Sequence, residues 1–205
     1  MTDPVPPAPG LPDLARSATL VAPLLLGCEL WAGAVGVRLC EVEAYEGIDD
    51  PASHAWRGPT ARNRVMFGPP GRLYVYGLHG HTCANIVCGP DGVAMAVLVR
   101  AGEVVGGMDE ARGRRPGVPD AALARGPGNL CRALGITRSD GGTALLAGGP
   151  LRLTPGDGPA TVASGPRVNV SRAADRPWRF WVPGSPAVSA YKLHPVVRGA
   201  AQTAG

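Results

Sequence analysis

Apolar and polar positions alternate along much of the chain, and a period of two predicts strands. Residues 29–35 and 37–45 form two such runs, joined through Gly33 and Gly36. Residues 72–78 and 81–87 form two more. Gly89-Pro90-Asp91-Gly92 is a turn signal, and 93–101 follows it as a near-continuous apolar strand with Arg100 at its end. Further on, 143–153 reads as a hairpin region, 162–170 as a strand segment containing Gly165-Pro166, and 178–182 as a last strand. Helical stretches are short. Residues 14–26 are apolar and predict a helix that stops before Pro23. Residues 60–66 suit a helical turn capped by Thr60, and 106–115 a short helix ended by Pro116. Within 121–134 a Gly/Pro loop enters a helix that stops at Gly135. Hairpins mixed with short helices, with no repeat and no dividing linker, predict a single compact α+β domain over 13–194. The Pro-rich start, 1–12, is expected to be a flexible tail, and 195–205 a disordered one.

Composition narrows the class. At 205 residues the chain is long enough for one domain with a real core and short for two. Gly (30) and Pro (22) are abundant, and Lys192 is the only lysine, a bias that a GC-rich genome would also produce. A net charge of +4 permits a polyanionic partner without requiring one. The five cysteines form no CxxC pair and no secretory signal precedes them, so reduced thiols in a soluble cytoplasmic protein are expected. No apolar run is long enough to span a bilayer.

Titratable and aromatic groups concentrate in 41–85. On a strand, Glu41, Glu43 and Tyr45 share one face while Val42 and Ala44 turn to the core. A carboxylate in a cleft can deprotonate water; the alternative is that both glutamates are solvated surface charges. Tyr45 and Tyr76 would make walls of a slot for a flat, preferably cationic ring, or else they are ordinary core or rim tyrosines. His79, His81 and Cys83, with His54 upstream, offer zinc-ligand chemistry, but their spacing fits no common zinc signature, so no metal is expected. Arg100 is either a solvated rim group or a partner for Glu43 or its water. Arg112, Arg114, Arg115, Arg125, Arg167 and Arg172 would contact phosphates or form a solvated basic face. Backbone N–H groups around Gly126-Pro127-Gly128 could also take a phosphate.

In order, the segments Glu41-Val42-Glu43-Ala44-Tyr45, Asp50 to His54, Arg62-Asn63-Arg64, Leu73-Tyr74-Val75-Tyr76, Cys83-Ala84-Asn85, Val99-Arg100-Ala101, Arg125-Gly126-Pro127-Gly128-Asn129 and Arg179-Phe180-Trp181 resemble the alkyladenine (3-methyladenine) DNA glycosylase family. The resemblance covers roughly residues 18–190. It implies a curved antiparallel sheet and a monomeric, monofunctional DNA repair glycosylase without cofactor. Such an enzyme flips 3-methyladenine or 7-methylguanine out of double-stranded DNA and leaves an abasic site. It implies Glu43 as general base, Arg100 holding the water or the acid, and Tyr45, His54, Tyr76 and Asn85 lining the base pocket. Arg62, Arg64, Arg125, Gly126 and Arg167 would meet the DNA backbone. His79 stands where the family has an intercalating aromatic, and Asn129 where a basic residue is common. The implied setting is the cytoplasmic nucleoid, with no obligate protein partner and no membrane. The competing readings are a non-catalytic nucleic-acid-binding module on the same scaffold and a zinc hydrolase.

Overall fold

Residues 35–45 are buried at nearly every position, so this strand cannot lie at the edge of a sheet or show a face to water. The computed structural model, which describes residues 9–78 and 80–203, sets it at the centre. In chain order the elements are α1 (Ala18–Leu24), β1 (Glu29–Ala32), β2 (Val35–Tyr45), β3 (Leu73–Leu78), β4 (His81–Cys88), β5 (Met95–Gly106), α2 (Met108–Arg114), α3 (Pro127–Leu134), β6 (Leu151–Thr154), β7 (Ala163–Gly165), β8 (Arg179–Trp181) and α4 (Pro195–Thr203). The fold is α+β, with one curled antiparallel sheet ordered β3-β4-β5-β2-β1-β6. Along one edge β2 pairs with β5. Its other edge is shared: β1 takes the first half, and β8, backed by β7, takes Glu41 to Glu43. The backbone at the two glutamates is therefore closed on both sides.

The alternation sorts the two faces. Val42, Ala44, Leu73, Ala84, Ile86, Val97 and Val99 face the main core, where Val21 of α1 and Leu130 and Leu134 of α3 cover them. Each fully buried aliphatic side chain of this kind contributes about 1.5–3 kcal/mol. The opposite face carries a polar row in strict register, Tyr74–Asn85–Leu98–Glu43–Arg179, running across β3, β4, β5, β2 and β8.

Two compensating bulges interrupt the β2–β5 ladder. Leu39 pairs with Gly102, Glu41 with Ala101 and Val42 with Val99, so Cys40 and Arg100 are each an extra residue. A bulge re-aims the side chain it carries, and here Arg100 turns onto the glutamates. Gly102 makes this close pairing possible, since a Cβ there would meet the Arg38 carbonyl oxygen at 2.3 Å.

Several expectations are corrected. Helix α1 runs one residue past Pro23. Residues 143–153 make no hairpin, because β6 pairs with β1 instead. Only 163–165 of the segment 162–170 is strand. Leu11, assigned to the flexible tail, is buried in the main core, and the segment after His194 forms α4. Residues 1–8, 79, 204 and 205 lie outside the described residues. The five cysteines are free and buried, and no group of three or more potential metal ligands occurs among the described residues. Among them, too, no helix is long and apolar enough to cross a membrane.

Candidate active site

A cleft of about 810 Å³ opens on the polar face of the sheet, and Glu43 and Arg100 are part of its lining. Glu43 is fully buried, which rules out a solvated surface charge. A buried carboxylate needs partners, and two hydrogen-bond donors and one guanidinium converge on it. The Val168 backbone N–H donates to Oε1 at 2.7 Å, the Arg100 Nη1 lies 3.4 Å from the same oxygen, and the Tyr45 hydroxyl donates to Oε2 at 2.9 Å. Burial, and then the Glu43 charge, push the Tyr45 phenol well above its ordinary range, so Tyr45 remains a donor at neutral pH.

Glu41, two residues earlier on the same face, is also fully buried but does not line the cleft. It accepts from Arg100 Nε (3.0 Å), Arg179 Nε (2.7 Å), the Ser189 N–H (2.7 Å) and the Ser189 hydroxyl (2.9 Å). Burial alone would raise its carboxyl; Arg100, the Ser189 N–H and Arg179 outweigh burial and hold it below the ordinary carboxylate range. Burial likewise acts to lower Arg100, but Glu43 and Glu41 more than offset it and keep the guanidinium charged.

The walls are aromatic. Tyr45, Tyr74 and Tyr76 all line the cleft. His54 meets Tyr76 edge-on, with ring centres 4.4 Å apart, and its Nδ1 lies 3.1 Å from the Tyr74 hydroxyl. Burial, with a smaller contribution from Arg62, lowers the His54 pKa, so the ring is neutral at pH 7. Asn85 is buried in the lining and donates from Nδ2 to the Tyr74 carbonyl at 3.1 Å. Thus a held carboxylate, an arginine and a neutral aromatic slot stand in one cavity.

A family model for methylpurine-DNA glycosylase (MPG) matches residues 13–186. The chain belongs to the methylpurine-DNA glycosylase family. A relative from Nocardia farcinica is 59% identical over 199 residues, covering 92% of this chain and 94% of that protein. One from Cutibacterium acnes is 52% identical over 185 residues (86% and 97%), and one from Mycobacterium leprae 51% over 191 (89% of each). All three are named as candidate 3-methyladenine DNA glycosylases.

Within this glycosylase-family chain, the six residues assigned from sequence to catalysis and base binding, Glu43, Arg100, Tyr45, His54, Tyr76 and Asn85, all line the one cleft. The residues assigned to the DNA backbone divide. Arg62 and Arg64 are exposed, and Arg62 donates to the Gly77 carbonyl at 3.0 Å. Gly126, at φ 92°, starts α3 at the cleft wall. Arg125 is half-buried and donates to the Pro186 carbonyl. Arg167 departs from the expectation: it is 1% exposed and paired with Asp50, so no phosphate can reach it. His79 lies outside the described residues. His81 and Cys83 line the cleft, and burial raises the Cys83 thiol, which keeps it protonated.

Sequence reasoning gave no role to Tyr74, Val168, Arg179, Ser189 or Lys192. Tyr74 was within reach, because it shares a strand face with Tyr76. Lys192, the only lysine, lines the cleft from far down the chain, so the site is not lysine-free as the stretch 41–85 is.

Proposed function

We propose that this protein hydrolyses the N-glycosidic bond of alkylated purines, of the 3-methyladenine and 7-methylguanine class, in double-stranded DNA. The observation that carries this reading is Glu43, fully buried, held by two hydrogen bonds and the Arg100 ion pair, and still part of a cleft lined by tyrosines. A base inside a duplex is out of reach, so the damaged nucleotide is extruded into the cleft. Alkylation at N3 or N7 makes the purine cationic, and the faces of Tyr45 and Tyr76 favour a cation. A neutral His54 adds no opposing charge. We assign Asn85 to the purine edge, where it would oppose the exocyclic amino group of unmodified guanine.

The chemistry balances without a cofactor. Oxygen of a water attacks C1′ and the C1′–N bond breaks. The bonding pair returns to the purine, which leaves neutral, and the water's proton passes to Glu43. A carboxylate has about four lone-pair positions, so two hydrogen bonds and an ion pair leave room for the water. The nearby negative charge also favours an oxocarbenium-like sugar. Arg100 positions the acid. The cationic leaving group needs no general acid, which suits a monofunctional enzyme that leaves an abasic site. Lys192 is exposed, without the desolvation that activates a Schiff-base lysine.

We assign phosphate contacts to the exposed Arg62 and Arg64 and to the Gly126 backbone, and the wedge to His79. Release of 3-methyladenine from methylated duplex DNA by the purified protein, and its loss in Glu43→Gln, tests the reading. Salt-sensitive DNA binding with no base release from any alkylated substrate would leave only a binding module. Borohydride should trap no covalent adduct with abasic DNA; a trapped adduct would overturn the monofunctional assignment.

A further inference from the structure

Residues 187–194 lie beyond the stretch that the family model matches, yet they close the site. Ala187 is fully buried against Cys40 and Ala101, at the two bulges that flank Glu41. Two residues on, Ser189 commits every polar group it has to the buried charges. Its N–H and hydroxyl donate to Glu41, its hydroxyl oxygen lies 3.3 Å from Arg100 Nη2, and its carbonyl accepts from Arg179 Nη2 at 2.9 Å. Three residues further, the Lys192 carbonyl accepts the Asn169 N–H at 2.8 Å. Asn169 is one of two non-glycine residues at positive φ (56°) among the described residues, and the preceding N–H, that of Val168, is the one on Glu43. The segment therefore reaches Glu43 by two routes, through Glu41 and Arg100 and through the 168–169 turn.

We propose that Glu41 and Ser189 are positioning residues for the reaction, acting through Arg100. The inference rests on Glu43 being the reacting carboxylate. A guanidinium beside Glu43 alone would be free to swing across it. Glu41 engages Nε, and the Ser189 hydroxyl engages Nη2, leaving Nη1 to face Glu43. Three points fix a planar group, so the Glu43 oxygens hold one orientation toward the cleft. Glu41 does not line the cleft, so its effect falls on the chemical step and not on DNA affinity.

Single-turnover release, duplex Kd and Tm are measured for Glu41→Gln, Ser189→Ala, Arg100→Gln and Glu41→Gln/Arg100→Gln. Misplacing a reacting group by about 1 Å costs up to about 100-fold, so Glu41→Gln should slow release roughly 10–100-fold and Ser189→Ala about threefold or more. Duplex Kd should stay within about twofold in both. In the Arg100→Gln background, Glu41→Gln should add little, because residues acting through one another are not additive. Should Glu41→Gln fail to fold, Ser189→Ala decides, since it keeps every charge. Rates unchanged in Ser189→Ala and Glu41→Gln, or a full additive loss in the double variant, overturn the inference. If the unaltered chain releases no base, the proposed function fails and this inference with it; an active parent that ignores the substitutions removes the inference alone.

Discussion

Two buried ion-pair regions adjoin the end of β2, one at Glu43 and one where Arg167, paired with Asp50, meets the Ala44 carbonyl, and they differ in one respect. Around Glu43 the charges are open to a cavity. Around Asp50 they are sealed. Asp50 and Arg167 are 0% and 1% exposed, and Arg167 Nη2 donates to Asp50 at 2.9 Å. The Arg167 guanidinium also donates to the Ala44 carbonyl and lies 4.6 Å from the Tyr45 ring centre and 5.1 Å from that of Trp178. Neither Asp50 nor Arg167 lines the cleft. Burial and pairing alone thus do not mark a reactive group; access does. The sealed pair still serves the open one, because Arg167 anchors the turn whose next N–H, from Val168, holds Glu43.

The largest expected effects split along this line. Glu43→Gln should lower single-turnover release about 10²–10⁴-fold, the usual range for removing a general base. Its amide keeps the shape: the oxygen can accept from the Val168 N–H while the NH2 donates to the Tyr45 hydroxyl oxygen, so Tm should move little. Asp50→Ala should do the reverse in kind. It leaves a guanidinium buried without its anion, which costs about 3–5 kcal/mol of stability, and urea unfolding would read this directly. Should Asp50→Ala unfold at the parental midpoint while Glu43→Gln melts early, the roles assigned to the two regions are exchanged.

A smaller effect separates exposed from sealed arginines. Arg62→Ala should weaken duplex binding several-fold and reduce the slope of log K against log salt by about 0.9, the value for one phosphate contact. Arg167→Ala should instead lower Tm, and its refolded fraction should keep the parental slope. A slope lost in Arg167→Ala at unchanged Tm would return that residue to the DNA face.

Much of this was legible in the sequence, for a physical reason. A period of two fixes which residues share a strand face, so Glu41, Glu43 and Tyr45 could be grouped before any coordinates; Tyr76 enters as a second slot wall, and Asn85 only through the family resemblance. What escaped has no local signal. Glu41 meets Arg179 and Ser189 across 138 and 148 residues of chain. The Val168 donor is a backbone N–H, which any residue but proline supplies. The bulge at Arg100 leaves no mark in an apolar run, and Arg167 looks like every other arginine until Asp50 is seen against it. The helix at 195–203 replaces an expected disordered tail; its amphipathic pattern is only nine residues long and contains Gly199, which makes it easy to miss.

The smallest effect sharpens the open side of the comparison through His54. Burial and the neighbouring Arg62 lower its pKa from 6.5, so in the folded protein the ring resists protonation. As pH falls below 6.5 the unfolded chain takes up a proton first, and the unfolded state then binds more protons than the folded one. Stability associated with His54 is therefore full above that pH and declines below it, toward the depressed folded value. Release should decline over the same window, because a protonated ring beside Tyr76 opposes a cationic purine. An NMR titration of the His54 ring should show a midpoint below 6.5, and His54→Gln should flatten that part of both profiles. A midpoint at or above 6.5 would mean that a negative group, and not desolvation, governs the ring, and the neutral wall of the slot would be lost.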